Sequence, residues 1–199
     1  MKLSKDFYLK SDVAEVARAL LGKFLVTNIN DHLTTGIIVE TEAYSGRNDK
    51  ACHANNGRRT KRTEIMFLEG GKSYVYLCYG IHHLFNVTTN VDGLADAVLI
   101  RAIEPVEGVE IMMDRRKKKS LQPSLTAGPG SMAQALGITT KLYGADLLGE
   151  EIWIEDRGVS FSIDDMIACP RVGVAYAEED AHRPWRFAVR DNLWVSKSK

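Results

Sequence analysis

Long apolar runs are missing from this sequence: no window approaches the roughly 20 residues that would span a bilayer. The N-terminus, Met1-Lys2-Leu3-Ser4-Lys5-Asp6, has no apolar stretch of the kind that directs secretion. No membrane association and a cytoplasmic location are therefore expected. Cysteine is scarce. Cys52, Cys78 and Cys169 are odd in number and have no framework spacing, which suits a reducing compartment better than a disulfide-stapled secreted domain. Neither sign of charge is in excess, since 26 Lys and Arg balance 26 Asp and Glu. Affinity for a polyanion must then come from local clusters. With 5 prolines and 16 glycines among 199 residues, disordered and fibrous classes are excluded.

Several chemical signatures are absent too. No Walker loop, no G-x-G-x-x-G after a strand and no G-x-S-x-G occurs, so nucleotide cofactors and acyl-transfer triads have no support. Cys52, His53, Cys78, His82 and His83 lack C-x-x-C or H-x-x-x-H spacing. Neither metal nor cofactor is expected. What remains, at 45% hydrophobic and 26% charged residues, is enough for one well-buried domain over residues 1–199.

Asp12 with Glu15 predicts a capping box, and Val13, Val16, Ala17, Leu20 and Leu21 keep helical spacing until Gly22. Strands are predicted at Phe24–Val26 and Thr35–Tyr44 around a turn at Asn28–Asp31, followed by a loop from Ser45 to Lys50. Further strands are predicted at Ser73–Tyr79, Leu84–Thr89 and Ala97–Ile103, the last ended by Pro105. Val106, Val109, Ile111, Met112 and Met113 read as a helix whose last turn carries Arg115–Lys119. Gly128-Pro129-Gly130-Ser131 introduces a short helix at Met132–Leu136. Late strands are predicted at Glu151–Glu155, Val172–Ala175, Trp185–Val189 and Leu193–Ser196. This irregular interleaving without repeats fits an α+β fold: one mixed domain with a curved, mainly antiparallel sheet flanked by helices.

Three features invite a chemical reading. Glu40 and Glu42 alternate within an apolar strand, which puts both carboxylates on one face with Cα atoms roughly 6.6 Å apart. They mark either a strand running out into solvent or a buried base. Tyr74 and Tyr76 share a strand face, as packing or as a platform for a planar ligand. Arg101 stands alone in the apolar run Ala97–Ile103 and must find a partner, for which Glu42 is a candidate.

Taken together, Ile38-Val39-Glu40-Thr41-Glu42-Ala43-Tyr44, Tyr74-Val75-Tyr76-Leu77-Cys78-Tyr79-Gly80, Val98-Leu99-Ile100-Arg101-Ala102-Ile103-Glu104-Pro105, Gly128-Pro129 and Arg171-Val172-Gly173-Val174, with Trp185-Arg186-Phe187 near the end, resemble the alkyladenine (3-methyladenine) DNA glycosylase family, in its compact bacterial form. The resemblance covers nearly the whole chain. It implies a monofunctional enzyme of base excision repair, acting as a monomer without metal or cofactor. Such an enzyme flips alkylated or deaminated purines out of damaged double-stranded DNA, hydrolyses the N-glycosidic bond and leaves an abasic site.

By the same resemblance Glu42 is the general base, and Arg101 and the Val172 backbone carbonyl help to hold the attacking water. Tyr44, His53 and Tyr76 sandwich the flipped base. Asn86 opposes the guanine 2-amino group, and Tyr79 wedges into the duplex. Glu40 is expected to be structural. Ile81-His82 departs from the Met-Tyr pair of vertebrate members. Arg58, Arg59, Lys61 and Arg62, with the run Arg115–Lys119, are candidate phosphate contacts or simply solvated charge. Two rival readings are a non-catalytic nucleic-acid-binding domain, in which Glu42–Arg101 is only a structural pair, and a hydrolase of free nucleosides.

Overall fold

The computed structural model describes residues 1–197. Its strands are β1 (Phe24–Ile29), β2 (His32–Ser45), β3 (Ser73–Cys78), β4 (His82–Thr89), β5 (Asp96–Glu107), β6 (Ile152–Glu155), β7 (Met166–Cys169) and β8 (Arg186–Val189). The α-helices are α1 (Lys5–Tyr8), α2 (Val13–Ala19), α3 (Val109–Arg115) and α4 (Pro129–Ala135). The sheet runs β3-β4-β5-β2-β1-β6, and the β7–β8 pair joins it through β8 on β2. Each of these strand pairings is antiparallel. The fold class is α+β, as the sequence implied.

The long central strand β2 organises the site. Its first half pairs with β1, up to Phe24 opposite Ile37, and further along its partner on that edge becomes β8, with Glu40 opposite Ala188 and Glu42 opposite Arg186. Against β5 its register shifts on either side of Glu40. Such irregularities re-aim side chains, and here they fall at the two carboxylates. Beneath them α2 packs its buried Val13, Val16 and Ala17, and Thr41 Oγ1 donates to the Ala17 carbonyl at 2.9 Å.

Several expectations are corrected. The β1–β2 turn consists only of Asn30 and Asp31, at φ 54° and 61°, so β1 continues to Ile29 rather than ending at Val26. Asp12 does cap α2, accepting from the amides of Ala14 and Glu15 at 2.8 and 3.1 Å. Glu15 does not close the capping box; its carboxylate takes Lys10 Nζ at 2.8 Å. Pro105 does not end β5, which runs on to Glu107 and keeps Val106 out of α3. The β4 ladder along β5 has already stopped at Leu99, and the β2 register shifts beside Pro105, where a missing N–H is tolerated.

Val172–Ala175 is no strand. Gly173 sits at φ 76° and the Val172 amide is committed to a side chain. Leu193–Ser196 is likewise a turn built on Asn192, whose side-chain oxygen accepts from the Trp194 amide at 2.8 Å. The strand beside β8 is instead Met166–Cys169, which was not anticipated.

Candidate active site

A pocket of about 460 Å³ opens beside the middle of β2. Glu42, Tyr44, His53, Tyr76, Tyr79, Asn86, Arg101 and Val172 all line it, as do Arg62 and Tyr176. The fold thus gathers onto one cavity residues from β2, β3, β4, β5 and the β2–β3, β3–β4 and β7–β8 connections. A buried cluster that includes Cys52, Met66, Tyr74 and Ala97, with Tyr44 and Tyr76 packed against it, forms its wall.

At the back lies a network of charge. Glu40 and Glu42 are fully buried and Arg101 is 6% exposed. The Glu42 Oε1 atom accepts the Val172 N–H at 2.8 Å and pairs with Arg101 Nη1 at 3.1 Å, while Oε2 accepts the Tyr44 hydroxyl at 2.7 Å. Burial, and then the Glu42 charge, hold the Tyr44 phenol well above its ordinary pKa, so it stays protonated and donates. A carboxylate offers about four acceptor positions; the Val172 amide and the Tyr44 hydroxyl take one each and Arg101 lies against Oε1 as an ion partner, so Oε2 keeps room for a further donor. Glu40 Oε1 accepts Arg101 Nε at 2.9 Å and Arg186 Nη1 at 3.0 Å, and Oε2 accepts the Ser196 amide at 2.8 Å. Glu40 does not line the pocket. The two carboxylates share Arg101, but only Glu42 faces the cavity.

The side walls are aromatic. Tyr74 and Tyr76 lie with ring centroids 5.4 Å apart, and His53 meets Tyr76 edge-on at 4.8 Å. His53 Nδ1 is 2.8 Å from the Tyr74 hydroxyl. Asn86, 4% exposed, donates from Nδ2 to the Tyr74 carbonyl at 3.1 Å, which fixes its side chain against the pocket. At the rim Tyr79 is 90% exposed and sits at φ 50° on the β3–β4 hairpin, a left-handed conformation that L residues with bulky side chains rarely adopt. Ile81 beside it is 71% exposed.

Burial, reinforced by Arg62 and Arg58, pushes the His53 imidazole down to about 4. NMR titration should therefore find this ring neutral at pH 7 and protonating near pH 4, and Arg62→Ala should raise the midpoint only partway, because burial is the larger cause. In the unfolded chain a histidine takes its proton near pH 6.5. His53 thus leaves stability unaffected above about 6.5 and subtracts from it as the pH falls towards 4. A ring titrating between pH 6 and 7 in the folded protein would contradict this environment.

The basic clusters divide. Arg62 stands at the mouth, 4.4 Å above the Tyr76 ring and with Nη2 3.3 Å from His53 Nε2. With Arg58 and Lys50 it also lines an adjoining polar pocket of about 390 Å³. Arg59 packs on Phe67 at 5.4 Å, and Arg59 and Lys61 line neither cavity. Arg115 and Arg116 are tied to Thr34, Ala135, Gln134 and Ser131, so two of the five residues of the expected Arg115–Lys119 cluster hold α3 and α4 together.

One organising residue escaped the sequence reading. Arg171, its side chain fully buried, makes a two-pronged pair with Asp49 at 2.6 and 2.8 Å, donates to the Ala43 carbonyl at 2.8 Å and lies 4.8 Å from the Tyr44 ring. It pins the segment bearing Val172 to the end of β2. The only signal was its place next to Val172; its partner lies 122 residues away. Cys52 lines the pocket, but burial pushes its thiol up to about 12, so it offers no thiolate nucleophile. Among the described residues no group of three or more His, Cys, Asp and Glu is placed to hold a metal, and no helix is long and apolar enough to cross a membrane.

A profile of the methylpurine-DNA glycosylases matches residues 6–193. A protein of Methanocella arvoryzae is 47% identical, covering 98% of this chain and 96% of its own length. Proteins of Bacillus cereus and Alkaliphilus oremlandii are 46% and 43% identical, each covering 99% of this chain and 100% of their own length. All three carry the provisional name 3-methyladenine DNA glycosylase. With the pocket, its buried carboxylates and this full-length similarity, the chain belongs to the methylpurine-DNA glycosylase family and is a DNA glycosylase.

Proposed function

We propose that this protein, as one domain and as a monomer, extrudes 3-methyladenine, hypoxanthine or ethenoadenine from duplex DNA into the aromatic pocket and hydrolyses the N-glycosidic bond there. The observation that carries the reading is Glu42, a buried carboxylate facing the cavity with one acceptor position left on Oε2. A water on that position is oriented by Glu42, with the Val172 carbonyl and Arg101 beside it. Its oxygen bonds to the sugar C1′ as the C1′–N bond breaks, the bonding electrons leave with the base, and Glu42 takes the proton. The strand is left with an abasic site. Tyr44, His53 and Tyr76 hold the base, favouring electron-poor rings. Arg58 and Arg62 meet the phosphates around it, with Arg59 and Lys61 further out.

Duplex oligonucleotides carrying each lesion, treated with alkali after incubation, test this directly. Binding without alkali-labile sites would leave only a DNA-binding module, and release from free nucleosides alone would leave a nucleoside hydrolase.

Two further outcomes follow from the walls and rim. Asn86→Ser should admit the guanine 2-amino group and raise release of undamaged guanine relative to hypoxanthine; an unchanged ratio removes Asn86 as the filter. Tyr79→Ala should slow excision on the order of tenfold for a well-paired lesion, because the wedge offsets part of a few-kcal/mol extrusion cost. Opposite a mismatch or gap, where extrusion already costs less, the defect should nearly vanish. Equal loss in every context would assign Tyr79 to the fold instead.

A further inference from the structure

Arg101 is gripped on three sides, and two of its partners lie outside the cavity. Its Nη1 faces Glu42, its Nε donates to Glu40 at 2.9 Å, and its Nη2 donates to Ser196 Oγ at 3.1 Å. Ser196 also gives its backbone N–H to Glu40 Oε2 at 2.8 Å. Glu40, Arg101 and Ser196 thus close a ring of hydrogen bonds behind the pocket, drawing on β2, β5 and the segment after β8. Arg186 from β8 adds a second cation to Glu40 at 3.0 Å. The formal charges of Glu40, Glu42, Arg101 and Arg186 cancel.

A guanidinium is planar, so fixing two of its nitrogens fixes the direction of the third. With Nε and Nη2 held by groups that do not line the cavity, Nη1 can point only towards Glu42. Among the described residues no aromatic face lies within cation–π distance of Arg101 to lock its plane otherwise. We propose that Glu40 and Ser196, which lies after β8, are positioning residues for the reaction, holding Arg101 edge-on to the Glu42 carboxylate. The segment Leu193–Ser196 then belongs to the catalytic machinery although it contributes nothing to the pocket lining. This inference rests on the assignment of Glu42 and Arg101 as the reacting pair.

Small misplacements of a positioned group carry large rate penalties, and one hydrogen bond to a charged group changes an equilibrium on the order of tenfold or more. Ser196→Ala removes the Nη2 acceptor and leaves the backbone bond to Glu40 intact. Single-turnover excision, measured well below the unfolding midpoint, should fall on the order of tenfold with the affinity for lesion-bearing duplex unchanged, while the midpoint itself drops because Nη2 is left buried without that acceptor. Ser196→Thr, which keeps the hydroxyl, should restore the rate. Glu40→Gln should also lower the rate without weakening DNA binding, and by more than Ser196→Ala; should it fail to fold, the two serine variants decide the matter.

Normal excision by Ser196→Ala, or a loss that Ser196→Thr does not restore, would overturn the positioning role. So would a loss matched by weaker DNA binding. Glu42→Gln is measured in parallel. If that variant excises normally, the underlying assignment fails; if it is inactive while Ser196→Ala is normal, only the positioning role fails.

Discussion

Glu42→Gln should bind lesion-bearing duplex normally and lose at least about 10²-fold in single-turnover excision, since a positioned general base contributes roughly 10²–10⁴. The substitution keeps the side chain's shape, and the carbonyl oxygen of the amide can still accept the Val172 N–H and face Arg101. What disappears is the group that takes the proton from water. Glu40→Gln should cost less, because Glu40 does not line the cavity and reaches it only through its bond to Arg101. Near-normal excision by Glu42→Gln would remove this carboxylate from the mechanism, and a larger loss in Glu40→Gln would mean that the other carboxylate is the base.

Asp49→Ala should be strongly destabilising, although Asp49 does not line the pocket. Arg171 and Asp49 are both fully buried in their side chains, and Asp49 accepts through both oxygens. Removing one member of such a pair leaves an uncompensated buried charge, which costs about 3–5 kcal/mol. The Arg171 Nε atom is already buried without a hydrogen-bond partner, so the guanidinium has little left to fall back on. Only neutral partners would then hold it: the Ala43 and Asp180 carbonyls and the Tyr44 and Trp185 rings. Urea unfolding should report the loss, and excision should weaken as well, because the same arginine anchors the segment carrying Val172. A change below about 1 kcal/mol would show that the pair is not what pins this wall.

Much of the site was legible because it lies on strands. The two-residue period of a strand places Glu40 and Glu42 on one face and Tyr74 with Tyr76 on another, and both pairings hold in three dimensions. An arginine in an apolar strand had to find carboxylates, and Arg101 found both. Elements stabilised by turns were read less well. Val172–Ala175 and Leu193–Ser196 have β-forming composition, yet Gly173 at φ 76° and the Asn192 side chain turn the chain away from any ladder. Pro105 was read as a strand end because its missing N–H matters only where a neighbour needs it, and the extent of the neighbouring β4 ladder is a property of the whole sheet.

Composition, strand periodicity and the residues of the resembling segments determined by themselves the α+β class, the family and the side chains that meet in one pocket. Only the tertiary structure decided which carboxylate faces the cavity, that the Val172 amide itself holds Glu42, that Arg171 is buried against Asp49, and that Ser196 reaches Arg101. The difference is one of range. A strand's facing pattern follows from covalent geometry repeated every two residues, so it can be read locally. The partners of the buried Glu40 lie 61 to 156 residues away along the chain, and their pairing follows from desolvation and packing across the whole sheet, which no local segment specifies.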